Sequence, residues 1–220
     1  MQTYKIHLIR HGLTRANTDG LYCGRTDVPL CTKGRQELCD ILGEYCYPCP
    51  DIVYTSPLLR ARETVEILFP ECEVAVRESL TEADFGPFDG RALEELKTDP
   101  DFQKWVTPGS GYLPAGVEPP GDFVTRCSVG FADIVTELMR NGMHTCAIVT
   151  HSGVIASILA SLAYPKRAPH EWTCDSGFGY TVLADPSLFL RDPVVEVVGY
   201  VPLPADEQDL THEVDEDLIY

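Results

Sequence analysis

No apolar run in this 220-residue chain approaches the roughly 20 residues that a membrane-spanning helix needs, so no membrane role is expected. Basic residues are scarce: 17 Lys and Arg stand against 34 Asp and Glu, a formal net charge of -17. Nucleic acid requires a concentrated basic surface, so it is not an expected partner. Few arginines suffice to bind phosphate, however, if they converge in one pocket. The opening MQTYKIHLIRHG interrupts its apolar residues with polar ones and lacks a small-residue cleavage site. It does not read as a secretory leader, and a cytoplasmic protein is expected. Cys46-Tyr-Pro-Cys49 has no second CxxC to accompany it at zinc-site spacing, and the cysteine count of nine is odd. Neither a metal site nor a disulfide framework is expected, and reduced, mostly buried thiols fit better. Hydrophobic content of 44% and charged content of 23% are ordinary for a globular protein. With no repeat, linker or low-complexity block before the end, the sequence reads as one domain over residues 1–204 followed by an acidic tail at 205–220.

Hydrophobic periodicity supplies the elements. YKIHLIR at 4–10 alternates and is rich in β-formers, which predicts a strand. Residues 11–31 hold Gly12, Gly20, Gly24 and Pro29 and read as loop. Thr32 is the expected N-cap of a helix from Lys33 to about Tyr45. DIVYTS at 51–56 predicts a second strand, with Pro57 suited to open a helix reaching about Leu68. CEVAVR at 72–77 is a third strand candidate. The Pro- and Gly-rich stretch 98–121 predicts an irregular segment, and Asp122 to Arg140 a helix closed by Asn141-Gly142. HTCAIVT at 144–150 is a strongly apolar strand, His151 to Ala163 a helix, and GYTVLAD and VVEVVGY two late strands. The alternation predicts an α/β three-layer sandwich, a mostly parallel central sheet flanked by helices. Ligands in such folds gather at the carboxyl ends of strands, which singles out Arg10-His11, Ser56 to Arg60, and His151.

Each of these is weak alone. A neutral histidine at a strand end can act as a nucleophile when one ring nitrogen is held by a hydrogen bond. The adjacent Gly12 permits close backbone approach. Arg10 offers a forked donor set to phosphate oxygens. His151 opens a helix, whose free N–H groups and dipole favour an anion. Arg60 opens another helix, with Arg62 competing for the same role.

Taken together, HLIRHGLTRAN with CGRTDVPLCTKGRQEL, then TSPLLRARET, LTEADFGPFDG and AIVTHSGVI, resemble in order the motifs of the histidine phosphatase, or phosphoglycerate mutase-like, superfamily over roughly residues 4–200. Within it the chain is most similar to small bacterial enzymes of the α-ribazole phosphatase and broad-specificity type. The resemblance implies His11 as nucleophile, Arg10, Arg60 and His151 as holders of the transferring phosphoryl group, and Glu82 as proton donor. It also implies Asn17 in the phosphate pocket with Gly12 and Thr14 near it. Arg15 departs from the polar or acidic residues usual in that loop. Ser152 replaces a frequent glycine and adds a potential donor.

Phosphoryl transfer needs an in-line nucleophile, fixed positive charge around the equatorial oxygens and a proton for the leaving oxygen. The residues above supply all three, so neither metal nor cofactor is expected. Glu82 must begin protonated, its pKa raised by burial or by a neighbouring carboxylate such as Asp84, itself a rival acid. The expected partner is a small-molecule phosphomonoester, and both monomer and homodimer fit. A cofactor-dependent mutase would need further cations in the segment after the acidic motif, about Arg91 to Arg126, which contains Lys97 and Lys104 but no adjacent arginine pair. A non-catalytic phosphate-binding module is the alternative from another class. Trp105, Phe88 and Tyr112 are candidates for an apolar wall near the pocket.

Overall fold

A computed structural model describes residues 3–205. The expected acidic tail, beyond Ala205, lies outside the described residues. In chain order the elements are β1 (Tyr4–Arg10), α1 (Arg15–Thr18), α2 (Thr32–Glu44), β2 (Tyr45–Cys46), β3 (Ile52–Thr55), α3 (Leu59–Leu68) and β4 (Val74–Val76). There follow α4 (Leu93–Leu96), α5 (Pro100–Val106), α6 (Pro120–Asn141), β5 (Thr145–Thr150), α7 (Ser152–Leu162) and β6 (Ala163–Tyr164). The last are β7 (Gly179–Ala184), α8 (Pro186–Phe189), β8 (Val195–Val201) and β9 (Leu203–Pro204).

Seven strands form the central sheet in the order β4-β3-β5-β1-β7-β8-β6, while β2 and β9 pair separately. β4, β3, β5 and β1 run parallel, whereas β7 is antiparallel to both β1 and β8. The sheet is therefore mostly parallel, with a mixed end built from the late strands.

Strand periodicity divides the core in two. Ile6 and Leu8 of β1, Tyr54 of β3 and Ile148 of β5 face α6 and α7, where Phe131, Ile134, Ile155 and Ile158 meet them. Ile9, Val53, Ala147 and Val149 turn the other way, onto Leu38 of α2 and Ala61, Val65 and Leu68 of α3. Strands buried on both faces have to be apolar throughout, which is why HTCAIVT reads as a continuous run. Burying each of these larger side chains contributes about 1.5–3 kcal/mol.

Local chemistry moves three boundaries. Helix α2 is capped by Cys31, whose Sγ accepts from the Gly34 N–H at 3.3 Å, so Thr32 is its first residue rather than its cap. Helix α3 begins at Leu59, not Pro57, because Leu58 stays extended and the Asp27 carboxylate takes the Leu59 N–H at 2.6 Å. The stretch 98–121 is not irregular throughout. Asp99 caps α5 with Pro100 as its first residue, and Phe102 and Trp105 of that helix pack with Phe88, Leu96 and Val117 into a small third cluster. This cluster covers the carboxyl end of the sheet.

Candidate active site

Because β1 and β5 are parallel neighbours with Arg10 opposite Thr150, the residues that follow, His11 and His151, leave the sheet side by side. The His11 N–H donates to the Thr150 carbonyl at 2.9 Å, and the two imidazole centroids lie 5.1 Å apart. Both rings are buried. His11 Nδ1 lies 2.7 Å from the Gly12 carbonyl oxygen. A carbonyl only accepts, so Nδ1 carries the proton and Nε2 keeps its lone pair. Burial, followed by the charge of Arg60, lowers the His11 pKa to about 3, and only the bond to Gly12 opposes this. The ring is neutral at physiological pH. His151 is likewise held well below the ordinary range by burial and by His11, Arg60, Arg126 and Arg10. Its Nε2 lies 2.8 Å from Ser56 Oγ, which also accepts from the Leu58 N–H at 3.3 Å. Among the described residues, His151 Nδ1 and Arg10 Nε are buried without a hydrogen-bond partner.

The arginines come from two strand ends. Arg10 donates from Nη1 to the Cys174 carbonyl at 2.8 Å. Arg60 is fully buried in α3, donating to the carbonyls of Thr26 at 2.9 Å and Gly24 at 2.7 Å. Thr64, one turn on, ties this helix to the loop that carries His11, since its hydroxyl accepts from the Gly12 N–H and donates to the Arg60 carbonyl. Its competitor Arg62 is exposed.

Glu82 is buried beside the histidines. Its Oε1 accepts from the Ala83 N–H at 3.0 Å and its Oε2 from the Gly153 N–H at 3.1 Å. Its pKa is raised because burial outweighs those bonds and the charges of Arg60 and Arg126. Burial, not a neighbouring carboxylate, is thus the cause. Asp84 instead accepts from the Gly86 N–H and approaches Arg25 at 3.9 Å. At Gly153 a side chain would meet the Glu82 carboxylate, so a larger residue there would displace the carboxyl group from its bond to the Gly153 N–H.

Arg10, His11, Asn17, Glu82 and Ser152 line a cavity of about 430 Å³. Arg60 and His151 are not in its wall; the charge of Arg60 acts on His11, and the His151 ring packs edge-on against the His11 ring. Gly12 and Thr14 are also absent from the wall. Gly12 packs against Leu38 and Leu30, with its N–H and carbonyl both engaged. Thr14 caps α1 and bonds to Asn17 Oδ1 at 2.9 Å, which fixes the Asn17 amide. Arg15 points to solvent, paired with Asp19. Of the expected apolar wall, Trp105 lines the cavity, Phe88 lies behind it, and Tyr112 sits under Lys104. Asp84 lines the cavity too, as do Tyr22, Cys23, Phe85, Glu118 and Phe123, and none of the latter five carries a sequence signal strong enough to select it. No helix among the described residues is long and apolar enough to cross a membrane.

A three-layer sandwich thus brings together paired strand-end histidines, two arginines and a buried carboxyl group. The family model of the histidine phosphatase superfamily (branch 1) matches residues 6–183, and the chain belongs to that superfamily. Adenosylcobalamin/alpha-ribazole phosphatase of Escherichia coli K12 is 28% identical over 181 residues, 79% of this chain and 86% of that protein. A broad-specificity phosphatase of Saccharomyces cerevisiae is 26% identical over 175 residues, 76% of this chain and 74% of that one. Among solved structures, the alpha-ribazole phosphatase from Shigella flexneri superposes with a TM-score of 0.74 at 23% identity, over 91% of this chain and 96% of that one, a likeness of fold.

Proposed function

We propose that the chain hydrolyses a small phosphomonoester through a phosphohistidine on His11, without a metal. The observation that carries this reading is the free Nε2 of a neutral His11, fixed by the Gly12 carbonyl in a cavity shared with Arg10 and Glu82. Arg10 Nε and His151 Nδ1 are buried donors without protein partners, suited to phosphoryl oxygens. With Ser56 donating into His151 Nε2, the ring proton sits on Nδ1. An arriving dianion favours a further proton on that ring and so reverses the depression seen in the free protein. Arg60 contributes its charge through nitrogens that each keep a second N–H. Glu82, protonated at the start, gives its proton to the leaving oxygen. Then, ionised, it takes one from the water that attacks phosphohistidine.

Among the described residues lining the cavity, Arg10 is the one arginine or lysine. Downstream cations are engaged elsewhere: Arg91 with Asp99, Lys97 with Glu94, Lys104 over Tyr112. This favours hydrolysis over a mutase cycle, which must retain a second anionic group. The alcohol half of the substrate would meet Tyr22, Phe85, Trp105 and Phe123, a wall suited to an apolar or planar body. A panel of phosphomonoesters, assayed for phosphate release alongside phosphoglycerate isomerisation, tests the reading. Release of phosphate from several esters with negligible isomerisation is expected. Isomerisation outpacing release would overturn it.

A further inference from the structure

Resting on the proposed acid role of Glu82, we infer that Arg126 and Glu118 form a brace whose function is to position that carboxyl group. Arg126 projects from α6 and meets Glu118 with both ends of its guanidinium, Nε to Oε1 at 2.9 Å and Nη2 to Oε2 at 2.8 Å. The remaining nitrogen, Nη1, donates to the main-chain carbonyls of Ser79 at 3.0 Å and Thr81 at 2.8 Å, directly before Glu82. Glu118 takes hold on the other side. Its Oε2 accepts from the Asp84 N–H at 3.2 Å and its own N–H donates to the Asp84 carbonyl at 2.8 Å. Residues 81 and 84 are thus gripped by two side chains that grip each other, and the backbone between them carries the proton donor.

A pair made only for stability would have no reason to straddle this residue. Bidentate geometry fixes direction as well as distance, and both side chains are largely buried. Gly153 then holds the carboxylate from α7. The brace also balances charge. The groups acting on or coupled to Glu82 are Arg60 from α3, Arg126 from α6, and Tyr22, Cys23 and Cys127 around it. Arg126 favours the ionised form of Glu82, and its pairing with Glu118 sets an opposite charge directly on that guanidinium.

The test compares kcat/KM for p-nitrophenyl phosphate, whose leaving group needs no proton, with that for an alkyl phosphate. The proteins are wild type, Glu118→Gln, Arg126→Lys, Glu82→Gln and each double variant with Glu82→Gln. The burst of p-nitrophenol counts folded, competent sites, and two independent brace variants guard against one failing to fold. Each brace variant is expected to lose about ten- to a hundred-fold on the alkyl ester, a fraction of what the whole acid supplies, and more than it loses on the aryl ester; Arg126→Lys, whose side chain is outside the cavity wall, should change the aryl ester least. Neither should lose more when Glu82→Gln is already present, because residues acting as a unit are non-additive. Glu118→Gln should also move the alkaline limb of the alkyl-ester profile to lower pH. Equal losses on both esters, or losses that multiply with Glu82→Gln, would overturn the brace alone. A Glu82→Gln variant that itself shows no difference between the esters would overturn the acid role and the brace with it.

Discussion

His11→Ala is expected to lower phosphate release by on the order of a million-fold, the scale seen when a hydrolase loses its covalent nucleophile. No other group near the cavity can replace it. His151 packs edge-on against it with Nε2 already engaged by Ser56, and Glu82 is tied by two N–H groups. The variant should still fold, because the His11 side chain makes one hydrogen bond, to the carbonyl of Gly12, and its ring lines the cavity, so removing it enlarges a space already open to solvent. It should also still bind substrate, since Arg10 and Arg60 are anchored by the Cys174, Thr26 and Gly24 carbonyls independently of the ring. Steady-state release together with binding of a phosphate ester measures both. Turnover within about tenfold of wild type would leave no place for a phosphohistidine.

Glu82→Gln is expected to cost about a hundred- to ten-thousand-fold on alkyl phosphates, the ordinary worth of general acid catalysis, which is about 3–6 kcal/mol of barrier. On p-nitrophenyl phosphate the loss should be far smaller, because nitrophenolate departs unaided. Glutamine keeps the shape and can still accept from one of the Ala83 and Gly153 N–H groups, so the difference isolates the proton. The sign of the pH effect follows from the site. A carboxyl group raised by burial stays protonated beyond its usual range and loses activity as pH rises through that raised value. His11, neutral above about 3, imposes no limit on the acid side of that window. Wild-type kcat/KM for an alkyl ester should therefore decline on the alkaline side, and the decline assigned to Glu82 should vanish in Glu82→Gln. An unchanged limb would assign it to another group.

Most of what positions this chemistry is written locally. Alternation in YKIHLIR and the unbroken HTCAIVT announce two strands, and parallel pairing then places His11 beside His151 by geometry alone. Glycine stands where the chain closes on Glu82 and its neighbour: a side chain at Gly24 would meet the Ala83 carbonyl, and one at Gly153 the Glu82 carboxylate. What could not be read is what depends on distant partners. Helix α3 starts at Leu59 because Asp27, far back in the chain, supplies its cap. Arg126 looks like any polar residue on an amphipathic helix, and its meaning lies in Thr81 and Ser79 opposite. Gly12 and Thr14, close to the nucleophile in sequence, instead build the loop that presents it.

The claim on which everything rests is that Nε2 of His11 accepts the phosphoryl group. Quenching wild-type enzyme in alkali during turnover of a phosphomonoester, then mapping the modified peptide and assigning the isomer by ³¹P NMR, tests it directly. Acid-labile phosphate on Nε2 of His11 is the result predicted. Phosphate on Nδ1, on His151 or on no histidine at all while turnover proceeds would contradict it.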